Sequence, residues 1–447
     1  MTLIELGYAD ADADAEPQTP PSPIDRRSAR RLLAALVAAL CLATLTASIR
    51  PQQQHALVHL WSVPDVQEGK FTVTGDTVVV VSGAGDRTLT GYALTDGTKL
   101  WSRESPEEIP IFFADGDSRI LLLPTGLRSA PTAGEERYFF TETTALDVAT
   151  GAELWRSPGA NIRAPSGWPA TGTALLEETA RDGLGTAGLR VVRLADGGTI
   201  WSQETPGVQR WLTLGADPDR PDRVATVDGD GDVRVLRLAD GTEAVHGTVE
   251  WHPGSSEADD SIDVVAEGDI LTVLQWSRNR STATAYSDRT LRRLWATVQD
   301  GNSSFYGCGA VLCGSSDGEF LGYDWATGKV RWRVQGQDHA MAAGHDLLIA
   351  EDTDGRNTLL DAATGRRLAD LGIAYPTWGY AGGIPLVTVG ISPSQVGRAV
   401  VRWVDPRSGE TFVLGTMEPV SDRMCKLASR RLLCTGIQGG LTVTAVG

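Results

Sequence analysis

From residue 57 onward the chain consists of short apolar runs broken every few residues by Asp, Gly and Thr. Some runs are uninterrupted, as in Val78-Val79-Val80-Val81 and Ile120-Leu121-Leu122-Leu123, the pattern of a strand covered on both faces. Others alternate, as in Val233-Arg234-Val235-Leu236-Arg237-Leu238, the pattern of a strand with one buried side. These runs recur in one phrase: a strand, a turn of the type Asp-x-x-Thr-Gly or Asp-Gly-Thr, then often a tryptophan. Eight copies stand at 94–101, 146–155, 194–201, 238–245, 286–295, 323–332, 360–369 and 404–413. A unit built only of short strands and turns cannot bury its own apolar face and must stack on copies of itself. The pattern therefore predicts an all-β fold, a β-propeller of four-stranded blades.

Unit six displays the four strands most clearly, at 304–309, 311–315, 319–324 and 329–335. Its turn between third and fourth strands needs a positive φ, which accounts for the recurrence of Gly97, Gly151, Gly197, Gly241, Gly328, Gly365 and Gly409. Trp61, Trp101, Trp155, Trp201, Trp295 and Trp332 fall on the outer strand, where one ring of about 150–250 Å² can bridge two blades. After the eighth phrase the chain supplies only three more strands, within 423–446, and 57–63 has the character of the missing outer one. Pairing the two ends would close the ring and remove its exposed edges. Counted literally there are nine units of about 43 residues over 56–447. Eight blades is the favoured number and nine the alternative, with the long second unit (107–158) or the fifth, which lacks its turn glycine, as the unit misread.

The segment before the repeats has a different composition. Residues 1–25 carry six acidic residues, four prolines and no Lys or Arg, a disordered acidic tail, and Arg26, Arg27, Arg30 and Arg31 follow. The uncharged run from Leu32 to Ile49 would span roughly 27 Å as a helix, enough to cross a bilayer with slight adjustment. The excess of arginine on its N-terminal side predicts a single-pass anchor with a cytoplasmic tail, a stem at 50–55 and the propeller at 56–447 outside the plasma membrane. A cleaved signal peptide is the competing reading, although no good small-x-small cleavage site is present. Cys41 follows Leu40 in mid-run, a poor context for lipidation.

Four further cysteines fall in two short pairs. Cys308 and Cys313 would face each other across a two-residue turn at Ala310-Val311, and Cys425 and Cys434 across a turn centred between Ser429 and Arg430. Opposed residues of a hairpin come within disulfide range, so two local disulfides are expected, in keeping with an oxidising compartment. Closing such short loops would add about 1–3 kcal/mol each.

The Ala/Leu-x-Asp-x-x-Thr-Gly-x-x-x-Trp phrase resembles the PQQ-like repeat, the blade signature of quinoprotein dehydrogenases and of the propeller of bacterial outer-membrane assembly lipoproteins. The resemblance covers essentially everything after residue 56. It implies the propeller and little about function, because most members of that family hold no quinone; the abundance of Ala, Gly and Arg with only four lysines points to a bacterial source. Quinoprotein alcohol dehydrogenases carry adjacent cysteines against the cofactor, and this chain has no Cys-Cys pair.

A formal charge of −17 and the lack of a basic stripe outside 26–31 argue against nucleic acid as a partner. The six histidines are dispersed: His55 and His59 on the stem, His246 and His252 about Trp251, His339 and His345 in unit seven. Asp228-Gly-Asp-Gly-Asp232 lacks the Gly and Glu of a calcium loop and reads as a β-turn. No Gly-x-Ser-x-Gly elbow or phosphate loop is present. No catalytic, cofactor-binding or metal-binding residue is assigned. The expected function is that of a non-catalytic, membrane-anchored scaffold for a protein or envelope ligand. The alternatives are a quinone- or small-ligand-binding oxidoreductase-like protein, and a sensor ectodomain.

Overall fold

The computed structural model describes residues 57–447 apart from loop segments at 84–86, 106–112, 115–118, 133–134, 161–171, 184, 216–219, 252–260, 278–279, 301–303, 317, 338, 378–385, 392–396 and 422–424. The expected anchor at 32–49, its flanking tail and Cys41 lie outside the described residues, among which no helix is long and apolar enough to cross a membrane.

Among the described residues every regular element is a strand, and all pairing is antiparallel between neighbours in sequence except at the closure. Unit six consists of Ser304–Cys308, Val311–Ser316, Glu319–Tyr323 and Val330–Gln335, close to the bounds the sequence predicts. The strands form eight sheets, the favoured blade number; seven have four strands and one has six. The nine repeat units fit into eight sheets because the 16-residue strand Thr199–Leu214 is shared by two units within the one six-stranded sheet. Its first part carries Trp201 as the outer strand of unit three, its last part is the inner strand of unit four, and Val208 pairs with both Thr186 and Asp228. The ring closes as expected, with Val58–Val63 paired to Leu441–Ala445 and Trp61 facing Val443. Lys426 reinforces the seam, its Nζ donating 2.9 Å to the carbonyl of Phe71 and standing 5.0 Å above that ring.

The turn glycines meet two demands, of which the sequence reveals one. Each has a positive φ, and all but Gly409, which abuts the Leu368 carbonyl, lie beneath the tryptophan of the preceding unit. At Gly197 (φ 69°) a Cβ would sit 2.7 Å from the Trp155 ring. The same indole donates its Nε1 hydrogen to the carbonyl of Leu194 at 2.7 Å. Trp61, Trp101, Trp201, Trp295 and Trp332 repeat the latch onto Leu94, Val148, Leu238, Trp325 and Ala362 at 2.7–3.2 Å. The unit interfaces are thus hydrogen-bonded as well as apolar.

The exceptions follow the same logic. In unit four Val245 occupies the tryptophan position, opposite Val235, and the next turn has Leu291 where the glycine would be. Leu291 takes a left-handed φ of 52°, and its buried side chain joins Val245 in one cluster, filling the space that an indole occupies elsewhere. In unit eight the position is Gly415, and Leu57 covers it.

The cysteine pairs come together differently from each other. Cys425 stands against Cys434 one step beyond the Lys426–Leu433 pair, with Cα atoms 4.2 Å apart. The intervening turn has Ser429 and Arg430 both at positive φ. In the other hairpin the turn is Gly309-Ala310 rather than Ala310-Val311, so Cys308 faces Val311 and Cys313 faces Tyr306. Gly309 accepts the φ of 72° that the turn requires, whereas β-branched Val311 belongs in the strand. Cys308 and Cys313 meet diagonally instead, Cα to Cα 5.9 Å, and both are buried. Both pairs have the placement of disulfide-capable cysteines.

Candidate functional site

The residues singled out from the sequence are spent on the fold. The six tryptophans are latches and the four cysteines staple two first hairpins. The Asp228 carboxylate accepts from the backbone N–H groups of Asp230 (2.9 Å) and Asp232 (2.8 Å), which makes it the organiser of its own turn. His246 lies 2.8 Å from Asp232 on the neighbouring strand, exposed. His55 and His252 lie outside the described residues. Among the described residues no group of three or more His, Cys, Asp or Glu is arranged to hold a metal ion.

Chemistry does gather at one cleft of the ring. Inner strands of units four, five and six, with Leu212, Leu214, Val265, Glu267, Gly307 and Trp325 among the lining, bound a cleft of about 390 Å³. Glu267 reaches across to His345 of unit seven at 3.3 Å, and Asp346 holds the other ring nitrogen at 2.8 Å. Burial pushes the Glu267 carboxyl above the usual carboxylate range, and the hydrogen bond to Asp346 pushes His345 above the ordinary imidazole value. Beside it Arg223, almost buried, meets fully buried Asp288 at 2.8 Å, and desolvation raises that carboxyl in turn. This array can share protons and neutralise its own charges. The two ring nitrogens of His345 are thus engaged by Asp346 and Glu267.

A second feature was legible only as an over-long repeat. In unit two the middle strands are Ile120–Thr132 and Glu135–Asp147, 13 residues each, where unit six uses six and five. Pairing continues from Leu127–Phe140 to Thr132–Glu135, so the hairpin stands out of the ring as a two-stranded ribbon. Gly126 (φ 71°), whose carbonyl accepts from the Thr141 hydroxyl at 2.9 Å, marks where it leaves the blade, with the register unchanged from Thr125–Glu142 to Leu127–Phe140. One face rests on unit three, with Phe139 against Gly183 and Ala130 buried. The other presents Leu127, Pro131, Tyr138 and Phe140, with Tyr138 62 % exposed. At its centre Glu136 accepts from Ser129 Oγ (2.6 Å) and Tyr138 Oη (3.0 Å), and these bonds hold its carboxyl below the usual range. The ribbon is therefore fixed on one side and open on the other.

The family model described as outer membrane protein assembly factor BamB matches residues 59–158, 123–334 and 305–384. The chain belongs to that PQQ-like propeller family. Among solved structures, BamB from Moraxella catarrhalis is similar at 14 % identity over 87 % of this chain and 98 % of that one, with a TM-score of 0.43. A eukaryotic initiation factor is similar at 10 % identity over 80 % of this chain and 90 % of that one, with a TM-score of 0.54, a likeness of fold alone. No curated protein matches the sequence significantly.

Proposed function

We propose that this chain is a membrane-tethered, extracytoplasmic scaffold that docks another protein of the envelope through its unit-two ribbon. The observation that carries the reading is the ribbon itself. The other latches, turns and cysteines described hold the ring together, whereas the ribbon extends well beyond its blade and exposes an aromatic face outside it. Exposed aromatic surface on a rigid mount is the usual composition of a protein-binding patch. Family membership supports a general protein-binding role, since the matching model is described as an assembly factor. The apolar run at 32–49 with its preceding arginines supports the tether. The absence of a Cys-Cys pair from the sequence supports a role without quinone chemistry.

The test is affinity capture from crosslinked envelopes with the full chain and with a variant lacking residues 127–140. A protein retained by the first and lost by the second, with the ring equally stable, is the expected result. Equal recovery by both would reject the ribbon as the docking element.

A further inference from the structure

The ribbon offers more than an apolar face. We propose that its outer strand accepts an extended segment of the partner as an added antiparallel strand, a mode of docking that rests on the scaffold reading above.

Strand parity points to this mode. The carbonyl of Thr141 accepts from the Gly159 backbone N–H at 2.9 Å, so Thr141 directs its backbone groups away from the ribbon's inner strand and toward the outer side. Direction alternates along a strand, and the pairing between 135 and 141 contains no bulge on this side. Phe139 and Arg137 therefore aim their N–H and C=O groups the same way as Thr141. The outer strand of the blade, Glu153–Pro158, pairs only as far as Glu142–Pro158, so among the described strands nothing continues the ladder beside Arg137 and Phe139.

An unpaired edge is ordinarily blunted by lysine, proline or a bulge. Residues 135–141, Glu-Glu-Arg-Tyr-Phe-Phe-Thr, are charged at the first three positions but contain no lysine and no proline, and the four from Tyr138 to Thr141 favour strands. The strand keeps one register from Glu142–Thr125 to Glu135–Thr132, so no bulge bends this edge. Packing of Phe139 and Ala130 on unit three holds the ribbon in place, so an incoming strand meets an ordered template rather than a flexible loop.

The open face specifies the segment. A strand added here extends the face that carries Tyr138 and Phe140, so its alternate residues should be aliphatic or aromatic there. Glu136, held ionised by Ser129 and Tyr138, calls for a basic residue opposite it, in keeping with the acidic charge of the whole chain. The fitting partner is an extended peptide with two apolar residues and then a Lys or Arg at alternate positions.

The test uses the purified full chain and the blocked peptide acetyl-Thr-Val-Thr-Val-Thr-Lys-Thr-amide, labelled with a fluorophore. In the free protein, amide exchange should be fast at Arg137 and Phe139 and slow at Tyr138 and Phe140. Slow exchange at the first pair means that this chain or a second copy already covers the edge, and overturns the proposal. Binding of the peptide, read by fluorescence anisotropy, should weaken at least tenfold with Arg137→Pro, which removes one outward N–H and spares the ladder to the inner strand. Glu136→Lys should weaken it severalfold, and the peptide N-methylated at alternate amides should not bind to the wild type. The methylated peptide keeps the test valid should Arg137→Pro fail to fold. Equal affinity for the plain and methylated peptides, or no binding of either, refutes strand addition. If the envelope protein is lost on removal of 127–140 but kept by Arg137→Pro, docking through the ribbon stands and edge pairing fails.

Discussion

Replacing Gly197 by alanine probes the latch most directly, because two separable costs meet at that residue. The left-handed φ of 69° costs an alanine about 1–2 kcal/mol. The new Cβ would stand 2.7 Å from the Trp155 ring, and pushing that ring aside costs a further ~1–3 kcal/mol of overpacking. Gly197→Ala should therefore destabilise by about 2–5 kcal/mol. Gly75→Ala is the control: its φ is 51° and nothing lies within 4 Å of the added carbon, so only the first cost, about 1–2 kcal/mol, applies. Trp155→Ala alone should cost about 3–5 kcal/mol, since it removes a buried ring and orphans the Leu194 carbonyl. In the Trp155→Ala background the clash is gone, and Gly197→Ala should fall to the cost of the Gly75 control. The double-mutant cycle, measured by urea unfolding of the full chain, should give a coupling of ~1–3 kcal/mol. A coupling below about 0.5 kcal/mol would mean that the tryptophan does not require the glycine, and the account of the latch would be wrong.

Deleting residues 58–63 opens the ring and exposes the surface that Trp61 covers, so the urea midpoint should fall by the equivalent of about 4–6 kcal/mol; an unchanged midpoint would show that closure is not structural. Alkylation of the unreduced, denatured chain should tag Cys41 alone, and Cys425→Ala with Cys434→Ala should cost only about 1–3 kcal/mol with the fold retained, whereas labelling at Cys308 or Cys425 refutes the pairing. His345 should titrate above 6.5 in a histidine NMR experiment, and Asp346→Asn should bring it down. Because its folded value is raised, its contribution to stability is fully present below the unfolded value and is lost as pH rises through the folded one. A wild-type midpoint at or below the ordinary imidazole value refutes this prediction. PQQ supplied with calcium should leave no bound chromophore on the purified chain, and dye-linked alcohol oxidation would overturn the scaffold reading.

The sequence shows the repeat readily because each unit's hydrogen bonds, turn and outer tryptophan are made by residues close together in the chain. Unit six is legible almost to the residue, and the closing pair, 57–63 with 441–446, is legible because each lacks what the other supplies. Sequence reasoning stumbles at Gly309, where two symmetric turns differ by one residue and only the φ each side chain tolerates selects between them. It also cannot place Trp211, whose indole reaches buried Glu177 of the neighbouring unit at 2.8 Å, since nothing nearby in the chain marks that partner.

The candidate sites lie further from the reach of sequence. Glu267 and His345 are separated by 78 positions and meet only because the ring brings the first turns of units five and seven together. The ribbon is visible beforehand only as excess length in 107–158, which a faulty repeat count would equally explain. The chain by itself therefore determines that the protein is a ring of strand-built units, and where that ring is tied, because period and turn chemistry are local properties. Which glycines carry an indole, which charges neutralise each other and which strand edge stays open are decided by the tertiary structure, because each depends on groups that only stacking of the units brings into contact.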